Sequence, residues 1–166
     1  AAAAAGGSVQ RARDLTKDER LATRRDAWWG APSRLDGTGA AVAVVVEELR
    51  ALIDEASESA GTVERHQAAL EALDAREEQL GTRGSGRRDL EARQRREIRQ
   101  LRTDELRFGL ATLAGRYREA MIGGDERAGV LAAAGRIRAT HESLERNPNE
   151  ALALQALLLG LPALQG

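Results

Sequence analysis

Gly81 and Gly86 enclose Thr82-Arg83-Gly84-Ser85 at the separation of a phosphate-binding loop. Such a loop needs glycine amides around the phosphates, then a lysine and a metal-binding Ser or Thr. Arg87 and Arg88 stand in those places, and no strand pattern leads into the segment, so it reads as an interhelical turn. Gly37-Thr38-Gly39 lacks the third glycine of a dinucleotide fingerprint and reads as a helix lead-in. The two histidines, His66 and His141, have no Glu-x-x-His or His-x-x-x-His neighbourhood to put metal ligands on one helical face, and are expected on helix surfaces or in a seam. The chain has no Cys, which removes disulfides, thiolate nucleophiles and Cys-based zinc sites together. Its carboxylates alternate with arginines as on solvated helices, so none is nominated as a general acid. The sequence therefore assigns no catalytic, cofactor-binding or metal-ligating residue and no cofactor, and an enzyme is the least supported class.

Two features are the candidates for binding, each with a plain structural reading beside it. Arg83, Arg87, Arg88, Arg93, Arg95, Arg96, Arg99, Arg102 and Arg107 form the densest basic stretch. It suits a nucleic-acid backbone electrostatically. Five acids are interleaved (Asp89, Glu91, Glu97, Asp104 and Glu105) and no aromatic side chain is available for stacking, which favours a salt-bridged helical arm. Trp28 and Trp29 precede a Pro-containing turn, either as a packed junction or as an exposed partner anchor. With 25 basic and 26 acidic residues among 166, no net field draws the chain to nucleic acid or an anionic membrane.

The elements that must carry these residues are all helical. Hydrophobic residues make up 42%, much of it Ala, and one Phe, one Tyr and two Trp leave a thin core built on Leu. Ser8 can cap a helix to about Leu15, and Asp18 one to Trp29, before Gly30-Ala31-Pro32-Ser33 ends it. Val42 to Val46 is β-branched, yet it runs into Leu49, Leu52, Ile53, Ala56 and Val63 at three-and-four spacing, which predicts a helix. That stripe continues through His66, Leu70, Leu73 and Leu80, with a break near Gly61. Asp89 can cap a second long helix with Leu90, Ile98, Leu101, Leu106, Leu110, Leu113, Tyr117 and Met121 on one face, ended by Gly123 and Gly124. Two long helices joined by a short loop pack antiparallel. Their outer halves are charged enough for residues 64–107 to read as a projecting hairpin.

Asp125 begins a further helix to Leu144, with Val130, Leu131, Ala134, Ile137 and Leu144 inward; Asn147 and Pro148 stop it. Asn149 then caps a last helix, Glu150 to about Leu159, whose leucines leave almost no polar face. It must be enclosed by its own bundle or by a partner. No run approaches the roughly 20 apolar residues of a membrane span, and Ala1–Ala5 lacks a signal-peptide layout, so a cytoplasmic protein without membrane contact is expected.

Arg116-Tyr117-Arg118-Glu119-Ala120-Met121 and Arg146-Asn147-Pro148-Asn149-Glu150-Ala151-Leu152-Ala153-Leu154-Gln155-Ala156-Leu157-Leu158 resemble the end of the delta-prime subunit of the DNA polymerase III clamp loader of GC-rich bacteria. Gly6-Gly7-Ser8-Val9-Gln10-Arg11-Ala12-Arg13-Asp14-Leu15 is similar to a turn and helix late in that family's AAA+ lid, and Leu90 to Arg107 to its linker into the last bundle. The family usually places Pro at the first turn of the last helix, whereas here Pro148 precedes the capping Asn149.

The resemblance implies a lid remnant over residues 1–33 and a helical collar domain over 38–166, which joins delta and the gamma or tau subunits in a ring. That ring places the beta sliding clamp on primed DNA. On this reading Leu154, Leu157, Leu158, Leu161, Trp28 and Trp29 are the candidate partner-binding residues. A nucleic-acid-binding hairpin and a coiled-coil scaffold are the alternatives.

Overall fold

The computed structural model describes residues 20–81, 86–124 and 128–165. Among the described residues every regular element is helical: α1 (Leu21–Gly30), a 3-10 turn (Ala31–Arg34), α2 (Gly39–Ser57), α3 (Ala60–Leu80), α4 (Arg87–Ile122), α5 (Ala128–Ser143), a second 3-10 turn (Leu144–Arg146) and α6 (Glu150–Leu159). The all-helical class expected from the periodicity is the one observed. The Ser8–Leu15 helix and the caps expected at Asp18 and Asp125 lie outside the described residues.

Helix ends follow local chemistry. Thr38 Oγ1 accepts from the Ala41 N–H at 3.2 Å to open α2, and Asp36 Oδ1 holds Thr38 in place through its N–H at 2.8 Å and its hydroxyl at 2.6 Å. The Thr38 hydroxyl is also the main reason the Asp36 carboxyl sits below its ordinary pKa. The expected break falls at Glu58-Ser59, just ahead of Gly61, where the Ser59 and Thr62 hydroxyls pair at 3.1 Å. Gly81, in the left-handed region at φ 63, donates its N–H to the Glu77 and Glu78 carbonyls and closes α3. Helix α4 begins at Arg87, so Asp89 lies inside the first turn, where a carboxylate favours the helix dipole, and does not cap it. Gly123 and Gly124 end that helix, their N–H groups reaching the Glu119 and Met121 carbonyls. Asn149 caps α6, its Oδ1 accepting from the Leu152 N–H at 3.1 Å.

By contacts the described chain divides into two units: Ile53–Glu105, and residues 20–52 with 106–165. The described part of the 1–33 segment thus clusters with residues 34–52 and 106–165, and the divisions fall at 52/53 and 105/106. In this second unit Val42, Val45, Val46 and Leu49 of α2, together with Leu106, Leu110, Leu113 and Tyr117 of α4, are buried at three-and-four spacing. Val44, off that face, is 65% exposed, so the β-branched run obeys the helical period. In α5, Val130, Ala133, Ile137 and the subsequent Leu144 face inward, while Leu131 and Ala134, both expected inside, are exposed.

Tertiary locking comes from tryptophan and from the last residues. Trp28 is fully buried, and its ring lies so close to Gly109 that a Cβ there would overlap it. Trp29 comes near Gly115 less closely, with 3.5 Å to the position of a Cβ, an ordinary contact that a side chain would tolerate. Glycine interrupts α4 at the two points where indoles approach its backbone. The final segment buries Leu161 and Leu164 and is tied down three times: Tyr117 Oη donates to the Pro162 carbonyl at 2.6 Å, Arg116 Nη2 to the Gln165 carbonyl at 2.6 Å, and the Leu164 N–H to the Pro32 carbonyl at 3.1 Å.

Replacing an interior helical glycine by alanine normally adds about 1 kcal/mol of stability. Gly109→Ala should do the opposite, costing about 1–3 kcal/mol by overpacking against Trp28. Gly135→Ala in α5, where a Cβ meets nothing within 4 Å, should stabilise by about 0.5–1 kcal/mol. Urea unfolding of both variants, followed by circular dichroism and tryptophan fluorescence, checks the opposite signs.

Candidate functional site

The unit Ile53–Glu105 contains the arginine-rich stretch and pairs α3 with the first half of α4. Arg65 and His66 meet Glu97, the His66 carbonyl accepts from Gln94 Nε2 at 2.9 Å, and Asp74 accepts from Arg87 Nη1 at 3.2 Å. Partners on α4 fall in number as those on α3 rise, which is an antiparallel hairpin. Below it, Asp54 of α2 pairs with Arg102. The apolar seam is thin: Leu70, Leu73, Leu90, Ile98 and Leu101 are all only half-buried. Charge supplements it, because α3 carries five acids against Arg65 and Arg76, while residues 87–105 carry seven arginines against five acids.

His66 is thus a seam histidine, and its partner fixes its tautomer. A carboxylate only accepts, so the Nε2 that lies 2.9 Å from Glu97 Oε2 bears the proton. That hydrogen bond, followed by the one from Arg65, holds the Glu97 carboxyl below the usual carboxylate range. A shallow open groove beside this pair is lined by His66, Glu91, Gln94, Arg95, Ile98 and Arg99. Among the described residues, no three His, Asp or Glu side chains converge as a metal-ligand set. Among the described residues two charged side chains are buried, Arg24 at 5% and Glu105 at 4% exposure, and each has an interaction partner. The alternation of charges in the sequence hides both.

The arginines are not uniformly neutralised. Arg87 is bonded to Glu91, which chiefly raises its pKa, and to Asp74, and Arg102 is bonded to Asp54. Arg88, Arg93, Arg95 and Arg96 are exposed and have no ion pair among the described residues. Arg99 donates only to the Arg95 carbonyl one turn back, at 3.4 Å. Arg83 lies outside the described residues.

The expected partner-binding residues are placed mostly within the chain's own core. Leu154, Leu157, Leu158 and Leu161 are at most 6% exposed, and Trp28 is fully buried, so of the two coverings foreseen for α6 its own bundle supplies the one for these side chains. Trp29 is half-buried between two guanidinium groups, with Arg25 Cζ 5.5 Å and Arg116 Cζ 5.7 Å from its ring centre, both at cation–π range. The accessible apolar face of α6 is a different one: Leu152 at 63%, Ala156, and Leu159 at 58% exposure, at positions i, i+4 and i+7. The helix reads as apolar all round in the sequence, so only the direction of the bundle separates its two faces.

Comparison of the chain with protein-family profiles, with curated proteins and with solved structures gives no match. Among the described residues, no helix is long and apolar enough to cross a membrane.

Because the Glu97 pKa is depressed in the folded chain, its contribution is complete above the ordinary carboxyl range and is lost as pH falls through the folded value. Its side chain is 43% exposed, so solvent screens the pair, and Glu97→Gln should cost no more than about 1 kcal/mol at pH 7. Thermal melts followed by circular dichroism should show that deficit at pH 7 and a progressively smaller one as the pH is lowered below the ordinary carboxyl range.

Proposed function

We propose that this chain is an assembly module working through helix faces, and specifically the collar-forming C-terminal region of a clamp-loader delta-prime subunit. The specific part of this reading derives from the C-terminal resemblance. The observation that carries it is the conformation of that same segment. Asn147 adopts the left-handed region at φ 51, Pro148 comes next, Asn149 caps, and α6 then delivers Leu154, Leu157 and Leu158 into the bundle. The motif residues thus have definite structural work: two asparagines and a proline set the turn that aims a leucine helix.

The surface left for a neighbour in the ring is the outer face of α6. Leu152 and Leu159 expose large aliphatic side chains two turns apart, and each stands to gain about 1–2 kcal/mol if its remaining exposed surface is covered. A ring subunit is the proposed cover. In this role the chain positions neighbours and carries out no chemistry, while delta, the gamma or tau subunits, the beta clamp and primed DNA are its direct or indirect partners.

Mixing the chain with the gamma or tau subunit and separating by size exclusion tests this directly. A complex should form, and Leu152→Glu with Leu159→Glu should weaken it at least about tenfold while leaving the helical circular dichroism unchanged. Absence of a complex under conditions where the full-length delta-prime subunit assembles would overturn the reading.

A further inference from the structure

Helix α4 has an acid-free face along its first four turns. Arg88, Arg95 and Arg99 fall at i, i+7 and i+11, with Arg96, Ala92 and Thr103 beside them; Leu90 and Leu101 lie on the far side of the helix, while Ile98 marks the edge where Arg95 and Arg99 line the groove with His66 and Gln94. From Arg88 to Arg99 the row is about 16 Å long at a rise of 1.5 Å per residue. Asp89 and Glu91 border it, and Glu91 is held by Arg87. The four guanidinium groups of Arg88, Arg95, Arg96 and Arg99 therefore face water with no carboxylate to neutralise them among the described residues.

Holding four like charges on one face of a helix is unfavourable in the free chain. The face also lacks what a protein partner needs, since protein interfaces are centred on apolar anchors and Ala92 is the only aliphatic side chain here. It equally lacks the aromatic platforms on which single-stranded bases stack. What it offers is a row of planar fork donors matched to phosphate oxygens. A helix about 10–12 Å across suits the mouth of the B-form major groove, about 12 Å wide, whereas the major groove of duplex RNA is too narrow.

We propose that Arg88, Arg95, Arg96 and Arg99 form a docking ridge for the phosphate backbone of double-stranded DNA, engaged without regard to base sequence. This inference rests on the hairpin alone and does not depend on the assembly reading. Overall neutrality of the chain is no obstacle, because the ridge positions carry no acid, and Glu97 and Asp74 of the hairpin are held in ion pairs across the seam.

The test is fluorescence anisotropy of the full chain with a labelled DNA duplex of about two helical turns, between 50 and 300 mM salt. Four neutralised phosphates predict a fall of log affinity with log salt of slope about −3.6, and nonspecific dissociation constants near 1–100 μM. Arg88→Gln, Arg95→Gln, Arg96→Gln and Arg99→Gln combined should lower affinity at least tenfold at 100 mM salt and flatten the slope. The exposed pair Arg118→Gln and Arg146→Gln, as a control, should change it less than twofold. Circular dichroism verifies that each variant is helical, and single ridge substitutions replace the quadruple one if it is not. Salt-insensitive or absent binding, an unaffected ridge variant, or equal loss in the control overturns the proposal. So does polyglutamate displacing the duplex at equal charge, or preference for the single strand. None of these outcomes touches the subunit-mixing experiment.

Discussion

Trp28 reaches its depth only because residue 109 has no side chain, and the arrangement of residues 20–52 and 106–165 depends on that contact. An indole is the largest apolar body this aromatic-poor chain possesses, and placing it flat against a helix backbone lets one residue do the work of several leucines. The 3-10 turn beginning at Ala31 comes immediately after α1, and its Pro32 carbonyl receives the Leu164 N–H. The turn that follows the buried indole thereby receives the returning segment. The Trp28 indole N–H finds no acceptor among the described residues, a polar group sacrificed to the fit.

Much of this was legible in residue order. The boundaries of α6 and the glycine stop of α4 are written in local chemistry, an asparagine cap and a pair of glycines, and these act in the same way whatever surrounds them. Phase was harder to read. In the Ala-rich stretch from Gly129 to Gly135 several rotations present equally apolar faces, and the choice of Ala133 over Leu131 and Ala134 is made by packing. Gly129, whose missing Cβ would stand 3.4 Å from Pro162, marks one contact that fixes the rotation. The same limit explains the candidate site: α6 announces leucines, but not which of them the bundle claims. The depth of Trp28 was coded elsewhere in the chain, at Gly109, an interior helical glycine of the kind that signals close backbone approach.

The hairpin is organised on a different principle. With few fully buried apolar side chains, α3 and α4 are held by a half-exposed seam bordered by ion pairs, each of which is modest in water. An acidic helix facing a basic one gives the pair its register, since a one-turn slip would set Arg87 and Glu97 against other partners. Arginines that take part in this pairing are spent on structure. Those pointing away retain their charge for whatever approaches from solvent.

The tie between Leu164 and Pro32 also bears on how the polypeptide emerges from the ribosome. The 53–105 hairpin closes through neighbours in sequence, a local contact that forms early and fast. The bundle brings together segments from opposite ends of the described chain, so Trp28 stays unsheltered until synthesis has passed Gly109 and α4 can form, and the tie to Pro32 waits until residue 164 has followed. During that interval the indole is apolar surface open to aggregation.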